Sequence, residues 1–220
     1  MAGCCSTDYR RMFNRKFAAR DAQSFRAHGV RGSSKTLVEL AGDVRGASVL
    51  DIGGGVGAIG LELLAAGAGR ATNVELSDSY EEEAAELARE RGVTDRVDRR
   101  VADVVEDAGA IEPHDVVVMH RVVCCYPDVD ALIGAAADLT RRRLVLTYPQ
   151  QRRWIRAGIA IVNAFTRLRG CGFRAYLHPV ARIDAAAQQH GLRLERRVQH
   201  GLLWESASFA RHQDGSVTTA

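Results

Sequence analysis

The stretch Val49-Leu50-Asp51-Ile52-Gly53-Gly54-Gly55-Val56-Gly57-Ala58-Ile59-Gly60 constrains this chain more than any other. Val49 and Leu50 fit a short apolar strand of the kind buried in parallel sheets. Gly53, Gly54, Gly55 and Gly57 then supply a turn whose backbone can take positive φ and admit a ligand to main-chain contact. A helix over about 58–66 follows, its first N–H groups aimed at the turn. Two ligand patterns fit. Gly55-x-Gly57-x-x-Gly60 has the spacing of a dinucleotide turn. Asp51-x-Gly53-x-Gly55-x-Gly57 sets a carboxylate at the strand end, ahead of the glycines.

From Ser48 the pattern alternates strand and helix. Strands are expected at Ala71–Glu75, Val97–Val101, Asp115–Met119 and Leu144–Thr147, with helices over 78–91 and 128–138. The helix over 78–91 opens on Glu81, Glu82 and Glu83 and closes on Arg89 and Arg91, which suits the helix dipole. This order implies a parallel sheet with helices on both faces. The C-terminal part breaks the alternation. A helix over 180–190 leads into two strand-like runs, 192–199 and 202–210, joined tightly at His200-Gly201, and so short a join implies an antiparallel hairpin. The fold expected is α/β: a Rossmann-like, mostly parallel seven-stranded sheet finished by that hairpin.

Two segments lie outside this frame. Residues 8–28 space Tyr9, Met12, Phe13, Phe17 and Phe25 at helical intervals, either as a core helix or as a lid over the ligand cleft. A second helix over 35–42 can be capped by Ser33 or Ser34. Residues 151–169 set Trp154, Ile155, Ile159, Val162, Phe165 and Leu168 against Arg152, Arg153, Arg156, Arg167 and Arg169. That helix reads as a solvated amphipathic face, a flap over an apolar substrate, or a membrane-surface helix. The domain plan is an N-terminal helical cap over 1–44, a main domain over 45–211 with a helical substrate flap at 151–178, and a disordered tail at 212–220.

Composition narrows the partners. A net charge of +3 is too small to argue for nucleic acid. Cys4, Cys5, Cys124, Cys125 and Cys171 make a poor disulfide framework and show no C-x₂-C zinc spacing, so no metal site is expected. With no secretory h-region and no run of 18 apolar residues, a cytoplasmic protein without a membrane span is expected. The oligomeric state stays open.

Ligands of open parallel sheets bind beyond the carboxyl ends of the strands. Those ends carry Asp51, then Glu75, a two-oxygen acceptor for ribose hydroxyls, then Asp103, then His120 and Arg121. With its Asp-led glycine turn, the stretch 45–148 resembles class I S-adenosylmethionine (SAM) methyltransferases. The resemblance implies SAM as cofactor and S-adenosylhomocysteine as product. It implies a cofactor site of Asp51, Gly53, Gly54, Gly55, Gly57, Glu75, Leu76, Asp103, Val104 and His120, with Asp51 serving the methionine ammonium and Asp103 the adenine amino group. An NAD site is disfavoured, because Asp51 would repel a pyrophosphate and the hairpin leaves no separate substrate domain. Asp115-Val116-Val117-Val118-Met119-His120-Arg121-Val122-Val123-Cys124-Cys125-Tyr126-Pro127-Asp128 and the later Arg174-Ala175-Tyr176-Leu177-His178 are similar to magnesium-protoporphyrin O-methyltransferases.

The expected activity is methyl transfer to a small-molecule acceptor. His120 is the candidate base. Tyr9, Phe13, Arg121, Cys124, Cys125, Tyr148 and His178 are candidate substrate contacts, with Tyr126 a weaker one. Two alternatives remain open: a thiol or metalloid acceptor held by cysteines, and a SAM-binding protein without transferase activity.

Overall fold

A computed structural model describes residues 6–211 of the chain. Strands β1 (Ser48–Ile52), β2 (Arg70–Glu75), β3 (Val97–Val101), β4 (His114–His120), β5 (Thr140–Pro149), β6 (Leu192–His200) and β7 (Trp204–Arg211) form one sheet in the order β3-β2-β1-β4-β5-β7-β6. The first five run parallel, and β7 lies antiparallel between β5 and β6. The seven-stranded sheet with its closing hairpin is the one expected.

Period-two alternation sends the apolar residues of the central strands to two cores, one on each face of the sheet. Leu50, Val117 and Met119 face one core, completed by α6 (Val129–Asp138) and α8 (Val180–Gln189). Val49, Val116 and Val118 face the other. There they meet α2 (Arg15–His28), α3 (Ser33–Ala41), α4 (Ala58–Ala65) and α5 (Glu81–Glu90). Buried on both faces, these strands are apolar in the main, and the few polar side chains they bury, such as Asp51 and Asn73, gather near the strand ends. The edge strand β3 carries Asp98, Arg99 and Arg100, charges that discourage pairing with another chain.

Three local expectations change. The helix over 8–28 is two helices, α1 (Ser6–Met12) and α2, because the Asn14 side chain accepts from Lys16 N and starts a new helix. In α3 it is Gly32 that occupies the N-cap; Ser33 lies inside the helix, buried, with its hydroxyl turned elsewhere. And α3 packs on β4, β5 and β7, so it covers the sheet while α1 and α2 front the cleft. The basic stretch forms α7 (Arg153–Leu168), followed by a segment without regular structure up to Pro179. The expected tail at 212–220 lies outside the described residues.

Candidate functional site

The strand order reverses between β1 and β4, and the cleft opens there, as it does in sheets of this kind. Its floor is the glycine turn. Gly53 N donates to Val74 O at 2.7 Å, tying the turn to β2. Gly53 has φ +63°, and a Cβ there would lie 2.5 Å from Val122 Cγ2. A Cβ on Gly54 would lie 2.4 Å from both Asp51 Oδ2 and Asn73 Nδ2. Gly53 is required by its positive φ, and both glycines by the side chains packed against them.

Beside the turn is a narrow slot between the ends of β1, β2 and β3. Ile52, Val74, Val104 and Leu132 make it apolar; Glu75, Asp103 and Tyr126 supply its polar atoms, and Leu76 also lines it. Glu75 is buried, and its two oxygens are held separately: Oε2 accepts from Gly55 N at 3.0 Å and Oε1 from Ser77 N at 3.1 Å. Burial raises its pKa, while those N–H groups and the Arg99 charge act against the rise. Asp103 accepts from Val105 N at 2.9 Å, and the Tyr126 hydroxyl donates to its carboxylate at 3.2–3.3 Å.

The slot opens into a larger cleft of about 1360 Å³, bounded by Gly53, Gly54, Gly55, Tyr80, His120, Arg121 and Cys125 on the sheet side. Tyr9, Phe13, Phe17 and Asp21 of the N-terminal helices close the other side. Ser77 Oγ donates to Phe13 O at 2.8 Å, and Phe173 stands edge-on to Phe13 at 5.6 Å. Tyr9 and Phe13 thus line the cleft.

His120, Ser33 and Arg121 form a connected group. Arg121 Nη2 donates to Ser33 Oγ at 3.1 Å, and Ser33 Oγ lies 2.9 Å from His120 Nε2. A guanidinium can only donate, so Ser33 Oγ accepts from Arg121 and is held against the imidazole edge. Burial, then the charges of Arg121 and His200, depress the His120 pKa to about 3. Arg121 itself has φ +62° and stacks over Trp204 at 4.6 Å.

Five expected site residues sit elsewhere. The Asp51 carboxyl is buried beneath the turn beside Asn73 and Gly60, because β1 alternation points it away from the cleft; burial raises its pKa to about 7. Gly57 lies with it at the start of α4. Tyr148 is inside the sheet, donating to Glu205 at 2.8 Å and accepting from Arg197 Nε at 3.0 Å. His178 is 2.9 Å from Tyr126 O and supports that backbone from behind. Cys124 is buried with Sγ on the Arg121 carbonyl, while its neighbour Cys125 reaches the cleft. Cys4 and Cys5 lie outside the described residues. Among the described residues no three His, Cys, Asp or Glu side chains gather as a metal site. No side chain of α7 lines the cleft. Ser33, Asp21, Asn73 and Trp204 were not found from sequence, since only the folded sheet brings them to the site.

Residues 49–143 match the family model described as a methyltransferase domain. No curated protein matches the chain. Magnesium protoporphyrin IX methyltransferase from Synechocystis PCC 6803, solved with bound SAH, is 22% identical with a TM-score of 0.73, over 94% of this chain and 99% of that one. An O-methyltransferase family protein from Burkholderia thailandensis is 17% identical with a TM-score of 0.71, over 90% and 59%. Geranyl diphosphate C-methyltransferase from Streptomyces coelicolor A3(2) is 16% identical with a TM-score of 0.65, over 82% and 77%. At these identities the likeness is one of fold, and the fold shared is that of class I methyltransferases.

Proposed function

We propose that this chain, whose residues 49–143 match the methyltransferase-domain family model, transfers the methyl group of SAM to a small-molecule acid. The bound donor supplies an electrophilic methyl on a sulfonium. The site fits that donor: a cradle that a Cβ would fill at Gly53 and Gly54, an apolar slot for a flat ring, and a buried carboxylate at its entrance. Glu75 holds the ribose hydroxyls, Asp103 with Leu76 and Val104 holds the adenine edge, and Gly53–Gly55 carry the amino-acid part. Asp51 acts from below, by shaping the turn. Tyr126 orients the Asp103 carboxylate, so Tyr126→Phe should weaken S-adenosylhomocysteine binding by about 0.5–1.5 kcal/mol, as read by calorimetry.

The observation that carries the acid assignment is the pair of arginines on the cleft wall, Arg31 and Arg121, beside a His120 whose burial disfavours its protonated form. An imidazole with pKa about 3 is neutral near pH 7 and too weak a base to take a proton from a phenol or alcohol. Burial raises the Tyr80 phenol, which stays protonated. The acceptor must then arrive already deprotonated, as a carboxylate does, and Arg121 and Arg31, on a cleft wall that also holds Asp21, supply the guanidinium groups to receive it. The chain's work is positioning and exclusion of water. In this reading His120 shapes the pocket through Ser33.

The test supplies SAM with a labelled methyl and a panel of small carboxylic acids, phenols and amines. Label recovered as an alkali-labile ester supports the reading; label in phenols alone overturns it. His120→Gln should lower the rate by no more than about tenfold and leave the pH–rate profile unchanged, whereas loss of a general base removes about 10²–10⁴. A second reading, a soft acceptor, rests on Cys125 at the cleft with its Sγ 3.8 Å from Cys124 Sγ. Methylated arsenite or thiols in the same assay would favour it.

A further inference from the structure

Helix α7 is the most unusual surface of the molecule. Of its sixteen residues only Ile155 and Thr166 are buried. Trp154 is 50% exposed, Ile161 70%, Val162 48%, Phe165 52% and Leu168 86%. Trp154, Ile161, Phe165 and Leu168 are spaced by seven, four and three residues, which aligns them in one stripe. Ala157 and Gly158 fill the turn between the first two and keep the stripe free of polar groups. Arg153, Arg156 and Arg167 lie along one flank, all exposed.

The charge around the stripe is of one sign. Residues 150–179 contain six arginines and no Asp or Glu. The whole chain has a net charge of +3, so the remainder is net acidic and the positive charge is gathered here. A second copy of this chain is a poor occupant, since six like charges would face six. Nucleic acid would use the arginines and leave the apolar stripe in water. An anionic bilayer satisfies both: apolar side chains enter the acyl boundary while arginines reach lipid phosphates.

We propose that α7 lies flat on the surface of an anionic lipid bilayer. No helix among the described residues is long and apolar enough to cross a membrane, so the attachment is peripheral. It lies next to the cleft's roof: Arg11 Nη1 donates to Gly170 O just past α7, and Phe173 packs on Phe13 and Tyr9.

The experiment is co-flotation of the full chain with vesicles of phosphatidylcholine alone and of phosphatidylcholine mixed with phosphatidylglycerol. The wild type should float with the mixed vesicles, not with the neutral ones, and less so at high salt. Ile161→Ser with Phe165→Ser and Leu168→Ser should lose roughly tenfold or more in vesicle binding. Each of Arg153→Gln, Arg156→Gln and Arg167→Gln should lose about fivefold. Circular dichroism and S-adenosylhomocysteine affinity should stay at wild-type values in all of them, which separates this proposal from the cofactor assignment. No flotation with the mixed vesicles overturns the proposal. So does equal flotation of the triple serine variant. A wild-type dimer that the serine substitutions convert to monomer also overturns it, in favour of a second copy as the occupant.

Discussion

Glu75→Ala is expected to weaken SAM and S-adenosylhomocysteine binding by about 1.5–3 kcal/mol, roughly 10–150-fold. The carboxylate borders both the slot and the larger cleft. It also fixes the floor, because its two oxygens take the N–H groups of Gly55 and Ser77. Truncation removes a ligand acceptor and strands two backbone donors at once. Glu75→Gln should be nearly as harmful. Its amide keeps the shape but must turn an NH₂ toward one of those N–H groups, and two donors cannot pair. Calorimetry with S-adenosylhomocysteine checks both variants. A glutamine variant that binds like wild type would show that the carboxylate only shapes the pocket.

The place of Glu75 was legible because it follows from sequence order alone: the last residue of a strand beside a glycine turn. The same holds for Asp103 and for the strand order, since alternation of strand and helix leaves few topologies. Asp51 shows where such reading stops. Its position at the end of β1 was correct, but the strand's alternation turns its carboxyl under the turn, toward Asn73 and Gly60. Which face a strand-end residue takes depends on where the regular pleat ends, and the glycines obscure that point. Ser33 illustrates a different limit. It stands 87 residues from His120, and no local pattern marks it as the group that meets the imidazole. The N-terminal helices read ambiguously for a physical reason as well. Ala18, Ala22 and Phe25 of α2 are core, while Phe13 and Phe17 line the cleft, so one amphipathic pattern serves both purposes.

The stability of the protein is expected to be nearly flat between about pH 4 and 6.5 as far as Asp51 and His120 are concerned, and each variant should uncover the slope of the other. Burial raises Asp51 from 3.8 to about 7, so in that window the native state holds a proton that the unfolded chain has released. Stability from this group therefore falls as pH rises. Burial lowers His120 from 6.5 to about 3, so the native state lacks a proton that the unfolded chain binds. Stability from this group rises with pH over nearly the same range, and the two slopes oppose. At about 1.4 kcal/mol per pH unit each, the hidden terms amount to at most about 4 kcal/mol. Asp51→Asn keeps the shape and removes the first slope, so its stability relative to wild type should increase as pH rises from 4 to 7. His120→Asn should show the reverse, losing ground to wild type as pH rises. Urea unfolding of the three proteins across this range is the measurement. If the gap between Asp51→Asn and wild type is the same at both ends of the range, Asp51 is ionised in the fold. In that case the Gly60 N–H, which favours the charged form, outweighs the burial of the carboxyl beneath the turn.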